Sequence, residues 1–192
     1  MTNEEELMDI NITAMPTPNP NTVMFTVERN FFESGSIEFE KASEAESSVL
    51  PKAMFAIKDV VGVMLGVNFI SITKTEGGDW EDIFEVVISE LKRLLASDEV
   101  LIDPELVANR EASSSDDSES VQKIKKILDD EIRPAIAMDG GDCSFHSFID
   151  GILTLRLQGA CSTCPASTMT LKMGIENRLK EDIPELKEVI QL

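Results

Sequence analysis

The chain has 192 residues, 42% of them hydrophobic, which is enough apolar material for one ordinary domain or two small ones. Its formal net charge is −19, from 36 acidic and 17 basic residues, and such a charge repels nucleic-acid phosphates and anionic lipid. No apolar run approaches the ~20 residues needed to cross a bilayer. From the charge and the missing apolar run together, we expect no nucleic-acid partner and no membrane partner.

The first ten residues, MTNEEELMDI, are acidic. They lack the basic start and apolar stretch of a signal peptide, and the Arg-rich character of a transit peptide. We therefore predict a cytoplasmic location. In that reducing compartment three cysteines do not form a disulfide framework, and a closely spaced pair indicates metal or redox chemistry.

A first domain is predicted over residues 1–97. Two strands are expected at 10–15 and 22–28, where β-branched and apolar side chains predominate. The segment PTPNPN between them, residues 16–21, combines X-Pro steps with asparagines, and this composition favours a turn over a binding motif.

Three further elements complete this domain. Residues 47–58 predict a short helix, residues 60–74 predict two strands joined by a tight turn near Gly66, and residues 80–96 predict a helix with a broad apolar face. The composition then changes, because residues 98–118 carry seven acidic residues and one basic residue, and EASSSDDS at their end has no large apolar side chain. This segment is predicted to be a flexible acidic linker.

The second domain is predicted over residues 119–192. It is expected to contain a helix, a glycine-rich turn, a hairpin, a second helix and a short closing strand, at 119–137, 138–142, 143–158, 165–180 and 187–191. Asp150-Gly151 is the expected hairpin turn. The fold class that follows is α+β, with two small domains, each a short sheet packed against two helices, joined by the linker.

The cysteine pair Cys161-Ser-Thr-Cys164 lies on one loop of the second domain. Pro165 suits the first position of a helix, so Cys164 is expected at a helix N-terminus, where unpaired N–H groups and the helix dipole favour the thiolate that binds metal. The small residues Gly159 and Ala160 are expected to leave the sulfurs exposed. Cys161 and Cys164 are therefore the predicted metal ligands.

Two thiolates are too few for the metal centres that such a pair usually holds. An iron–sulfur cluster is held by about four cysteine thiolates, and a structural zinc ion takes four donors. Cys143 and His146 are further candidates, but they lie three apart in a predicted strand and therefore point to opposite faces. Cys143 is expected to pack in the core, and His146 to be a solvent-side or hydrogen-bonded strand residue. Two copies of the chain, related by a two-fold axis, supply four thiolates and form a labile site between subunits.

Two other functions stay open from the residues alone. A CxxC pair at a helix start also suits a thiol–disulfide oxidoreductase, although no βαβ unit precedes it here as the thioredoxin-like proteins require. The other alternative is an adaptor whose cysteines hold only zinc. Iron and sulfide in the isolated protein distinguish a cluster carrier from both.

Two stretches of the second domain, RPAIAMDGGD at 133–142 and LQGACSTCPASTMTLKMGIENRL at 157–179, closely resemble the NifU-type C-terminal domain. The first domain resembles the amino-terminal domain of Nfu proteins, through TPNPNTVMF at 17–25, VVGVMLGVNFISITK at 60–74 and the helix that carries Trp80. The two domains follow each other in the order that is usual for the family.

The resemblance implies a function. Nfu proteins bind a [4Fe–4S] cluster between two C-terminal domains, through the cysteines that match Cys161 and Cys164, and deliver it to apo-proteins. It therefore implies a homodimer when loaded, an upstream scaffold as donor, iron–sulfur clients as acceptors, and no enzymatic activity. The residues themselves do not distinguish [4Fe–4S] from [2Fe–2S]. Cys143 stands where the family generally has an aliphatic residue, so we do not expect it to be a ligand.

Overall fold

The first domain is built on a five-stranded antiparallel sheet. The computed structural model describes residues 10–111, 118–162 and 165–192, except for the side chains of 109–111 and 165–168. The sheet has the strand order β1-β2-β5-β4-β3, and its strands are β1 Ile12–Pro16, β2 Thr22–Val27, β3 Ile37–Phe39, β4 Val60–Leu65 and β5 Phe69–Lys74. The predicted turn at 16–21 joins β1 to β2.

Helices cover one face of this sheet. They are α1 Val49–Phe55, α2 Trp80–Leu95 and α3 Pro104–Glu111. Asp79 caps α2, because its carboxylate accepts a hydrogen bond from the Glu81 N–H at 3.0 Å. The core between helices and sheet includes Phe25, Ile70, Val87 and Leu91, which are fully buried. These side chains come from alternate strand positions and from one face of α2, as burial of one sheet face requires.

Two parts of the first domain were not predicted. Strand β3 lies in a stretch that carries no clear strand pattern, and it is held by pairing with β4. Helix α3 lies inside the segment predicted as a linker, and Leu101 and Ile102 before it are buried in the first domain's core. The ordered part of this domain therefore extends beyond residue 97. The predicted domain bounds themselves stay a prediction, and residues 112–117 of the predicted linker lie outside the described residues.

The second domain has a three-stranded sheet with the order β6-β7-β8. Its elements are α4 Glu119–Ile127, a π-helical turn Leu128–Ile132, α5 Arg133–Ala137, β6 Gly141–Ile149, β7 Ile152–Gly159, α6 Pro165–Asp182 and β8 Glu188–Gln191. Strand β8 pairs in parallel with β7, and β6 pairs with β7 as a hairpin. Asp150 and Gly151 have φ values of 54° and 83°, which is the conformation that a two-residue hairpin turn demands.

The two domains contact each other through the face of the first sheet that the helices leave uncovered. Met24, Met64 and Phe69 lie on that face, and Ala137 of the second domain packs against them. The molecule is thus α+β with two domains, as predicted. No helix in the described part of the chain combines the length and apolar character that a bilayer span demands.

Candidate functional site

Cys161 lies in a tight turn that follows strand β7. The strand ends at Gly159, whose φ of 63° is in the left-handed region that favours glycine. The Ala160 N–H donates to the Gly140 carbonyl at 3.1 Å, and Ser162 donates through its N–H and its hydroxyl to the Gly159 carbonyl at 3.1 and 2.8 Å. The residues on both sides of Cys161 are therefore held by hydrogen bonds.

The Cys161 side chain is only 6% exposed, and it packs among the apolar residues of the second domain's core. Its Sγ lies so close to Gly141 that a Cβ added there would be 2.4 Å from the sulfur. We expected exposed sulfurs on this loop, and for Cys161 that expectation is wrong. Small neighbours did not expose the thiol, because Gly141 provides a space in which the sulfur packs.

A cavity of ≈460 Å³ nevertheless reaches Cys161 from the surface. Its other walls come from both domains, with Ile136 and Leu171 from the second and Pro18 from the turn at 16–21 of the first. The lining is mostly apolar. The thiol therefore lies at the edge of a hydrophobic recess, where a bound group is shielded from water without being enclosed.

Cys164, the second predicted ligand, lies outside the described residues, as does Thr163. The helix after them does begin at Pro165, where the sequence predicted its start. The placement of the CxxC pair before a helix N-terminus follows from that start. The roles of Cys161 and Cys164 as ligands stay a prediction.

Cys143, on strand β6, is fully buried in the second domain's core, as predicted. Burial, together with the nearby charge of Asp142, raises the pKa of the Cys143 thiol to about 12. A thiol with such a pKa is neutral at physiological pH and is a poor metal ligand. His146 is exposed, next to a β-bulge between Phe145 and Ser147. Within the described ranges, no three His, Cys, Asp or Glu side chains are grouped so as to hold one metal ion.

A buried ion pair lies at the start of β6, close to the loop. Arg133 donates through Nε and Nη2 to both carboxylate oxygens of Asp142, at 2.8 and 2.7 Å, and Asp142 is 5% exposed. Ser36 of the first domain donates to the same carboxylate at 2.5 Å. The hydrogen bonds to Asp142 raise the pKa of Arg133 above its ordinary value. We did not predict this pair, although both residues belong to the stretch that resembles the NifU-type domain.

Three further side chains of the first domain bond to the backbone around Cys161. Glu38 accepts from the Gly159 N–H at 2.7 Å, Ser71 donates to the Gly140 carbonyl at 2.7 Å, and Asn19 donates to the Ala160 carbonyl at 3.4 Å. Burial raises the pKa of Glu38 to about 7. Asn19 and Ser71 lie in the stretches at 17–25 and 60–74 that resemble the Nfu amino-terminal domain, and Glu38 is an acid placed between two apolar residues.

Three large apolar side chains near the loop are exposed. Met138 is 74% exposed, and Met169 and Met173, one turn apart on α6, are 68% and 60% exposed. Met169 and Met173 therefore do not pack in the core of the single chain. Exposed methionines beside a functional loop are typical of surfaces that bind another protein.

The chain matches two family descriptions. Residues 12–98 match the scaffold protein Nfu/NifU N-terminal family, and residues 124–190 match the NifU-like domain family. The two matches fall on the two domains described above.

Curated relatives match nearly the whole chain. NifU-like protein 5, mitochondrial, of Arabidopsis thaliana is 41% identical over 187 residues, which cover 94% of this chain and 67% of that protein. The human protein named NFU1 iron-sulfur cluster scaffold homolog, mitochondrial, is 38% identical over 182 residues, which cover 94% of this chain and 71% of the human one. The solution NMR structure of a NifU-like protein from Saccharomyces cerevisiae is 28% identical and superposes with a TM-score of 0.45, covering 49% of this chain and 85% of that one.

The predicted cytoplasmic location is contradicted by these relatives, whose names place them in mitochondria. That prediction was based on the acidic first residues of the chain, and the names of the relatives are the stronger evidence. The chain spans about two thirds of the length of the relatives that it matches.

Proposed function

The chain belongs to the Nfu family of NifU-like proteins, and on this premise we propose that it is an iron–sulfur cluster carrier. In this proposal the cargo is a labile [4Fe–4S] cluster, held between two subunits by Cys161 and Cys164 of each. The carrier takes the cluster from an upstream scaffold and passes it to apo-proteins. In this proposal the chain is a carrier and not an enzyme, because its cysteines only hold the cluster and are exchanged for those of a client.

The observation that carries the proposal is the position of Cys161. Its thiol lies at the edge of an apolar cavity of ≈460 Å³, on a loop that is held by backbone hydrogen bonds. Such a recess excludes water from a bound cluster yet leaves it open on one side. A site of this kind suits a cargo that is bound and then released.

Counting donors supports a shared site. The other buried thiol, Cys143, has a pKa raised to about 12 and therefore disfavours the thiolate form. One loop then offers two thiolates, whereas a cluster takes about four. A second copy of the chain provides the other two, and the exposed Met138, Met169 and Met173 offer an apolar surface for that copy.

Transfer to a client proceeds by ligand exchange. Each iron–sulfur bond to a carrier cysteine breaks as a bond to a client cysteine forms, and the proton of the client thiol passes to the carrier thiolate. Four bonds are lost and four are gained, and no electron is transferred. Because the relatives named above are mitochondrial, we place this exchange in the mitochondrion.

Anaerobic reconstitution of the full chain with iron and sulfide tests the proposal. We expect a brown protein that contains four iron and four sulfide ions per dimer, with loading accompanied by dimer formation in light scattering. A cluster-loaded species that is monomeric overturns the shared site. Purified protein that holds zinc without sulfide, or that stays colourless and reduces disulfides, overturns the carrier function.

A further inference from the structure

We propose that the first domain positions the cluster-binding loop, through Glu38, Ser71 and Asn19. The inference rests on the proposed carrier function and extends the site from one domain to two. These side chains are positioning residues, because their hydrogen bonds go to the backbone around Cys161 and not to the cargo.

The three contacts converge on a short stretch of backbone. Glu38 binds the N–H of Gly159 and Asn19 binds the carbonyl of Ala160, the two residues that precede Cys161. Ser71 binds the carbonyl of Gly140, which also accepts the Ala160 N–H. Every bond therefore acts on the turn that carries the thiol or on the turn directly paired with it.

Burial makes these contacts strong enough to matter. Ser71 is 1% exposed and Asn19 is 3% exposed, so water does not replace their bonds. A backbone group that loses its partner in such a place stays unsatisfied, and this costs more than the bond itself contributes. Met64 closes the same region, because its sulfur lies against Gly159 with no space for a Cβ between them.

The first domain presents these groups on a rigid support. Ser71 and Met64 lie on the paired strands β5 and β4. The turn at 16–21 is fixed by its own hydrogen bonds, in which Thr17 Oγ1 donates to the Thr22 carbonyl at 2.9 Å and the Asn21 N–H donates to Asn19 Oδ1 at 3.0 Å. Pro18 of this turn forms a wall of the cavity that Cys161 faces. A rigid support is what positioning of a ligand requires.

Alkylation of the cluster-free full chain tests the positioning directly. Ser71→Ala and Glu38→Ala each remove one contact, whereas Glu38→Gln keeps an acceptor for the Gly159 N–H. We expect Cys161 to react with iodoacetamide about five- to tenfold faster in the two alanine variants, and at nearly the wild-type rate in Glu38→Gln. The matched control is Glu85→Ala, an exposed carboxylate on α2, which we expect to leave the rate unchanged.

The alkylation rate of Cys143, measured in the same samples as that of Cys161, provides an internal reference. If the variants only loosen the second domain as a whole, Cys143 and Cys161 accelerate together, and the positioning role is overturned. Unchanged rates at Cys161 in both alanine variants overturn it as well. Should Glu38→Ala fail to fold, Ser71→Ala decides alone, because it removes a single hydroxyl.

The loaded protein offers a second measurement. We expect the half-life of the reconstituted cluster under air to fall several-fold in Ser71→Ala and in Glu38→Ala. In Glu38→Gln we expect the wild-type half-life, because this variant keeps an acceptor for the Gly159 N–H. If the wild-type chain takes up no cluster, the carrier function fails, and the alkylation rates still decide whether the first domain positions the loop. If the wild-type chain is loaded and all variants match it in both measurements, only the positioning role fails.

Discussion

The two domains use their sheets differently. The first domain covers one face of its sheet with helices and the other face with the second domain, so side chains on both faces of β5 are buried. The second domain buries alternate residues of β7 and leaves those between them more exposed. The larger sheet has two covered faces, whereas the smaller domain carries the loop with Cys161 at the end of its strand β7. The comparison teaches that the domain without a cysteine pair contacts the backbone around Cys161 through the second face of its sheet.

The largest effect expected from this division concerns the ligands. Cys161→Ala or Cys164→Ala should abolish cluster binding, because two of the four thiolates of the proposed shared site disappear, while the fold stays intact. Iron and sulfide analysis after reconstitution measures the loss, and circular dichroism checks the fold. The matched control is Cys143→Ala, which should keep nearly all of the cluster content. A loss of cluster in that variant would show that a buried core thiol takes part after all.

A second prediction separates the two faces of the first sheet. Met54 packs on the helix side and Met64 on the domain side, and both are buried. Either change to alanine should cost about 2–5 kcal/mol where the side chain is enclosed. For Met54→Ala the loss should appear as a lower unfolding midpoint of the first domain. For Met64→Ala it should appear as faster proteolysis between the domains, with the first domain's midpoint nearly kept.

The contact of Glu38 with the Gly159 N–H makes the stability of the folded chain depend on pH. The pKa of Glu38 is raised from 4.5 to about 7 by burial first, with the nearby Glu40 and Glu44 raising it further and Arg156 and the Gly159 N–H lowering it. A raised carboxyl pKa means that the folded state holds the proton more tightly. Its contribution to stability is therefore complete below pH 4.5 and is lost as the pH rises through 7.

The amount is at most about 3 kcal/mol, from 1.36 kcal/mol per pKa unit. Glu38→Gln should flatten this part of the pH profile and make the variant more stable than wild type at pH 8. Chemical denaturation at pH 5, 7 and 8 measures it. Identical profiles for variant and wild type would mean that Glu38 is not buried between the domains.

The smallest expected effect compares two glycines of the second domain. Gly174 lies in α6 with nothing within 4 Å of an added Cβ, so Gly174→Ala should stabilise the chain by about 0.5–1 kcal/mol. Gly159 has a φ of 63°, and an added Cβ there would lie 2.6 Å from the Gly140 carbonyl. Gly159→Ala should therefore destabilise by at least about 1–2 kcal/mol. Thermal unfolding of both variants, side by side, gives the sign of each change.

Much of the fold was predictable because local patterns agree with it. Strands β1 and β2, the β4–β5 pair and helix α2 follow from period-two and helical spacing of apolar residues. The turn at Asp150-Gly151 was predictable because this dipeptide favours the positive φ values that both residues adopt in the structure. Strand β3 was not predictable, because it has three residues and, among the described strands, pairs with β4 only. Helix α3 was not predicted, because it lies in an acidic stretch whose composition is typical of a linker.

For the site, the sequence alone determined the candidate ligands and the family. The candidate ligands follow from neighbouring residues, namely the spacing of Cys161 and Cys164 and the proline after them. The number of donors that a metal centre takes adds to these. Only the tertiary structure decided that the Cys161 thiol packs over Gly141 at the edge of a cavity, and that Glu38, Ser71 and Asn19 reach its loop. The physical reason is that the contacts of Glu38, Ser71 and Asn19 join residues more than 60 positions apart. These three contacts form only when an apolar face of one domain is covered by the other.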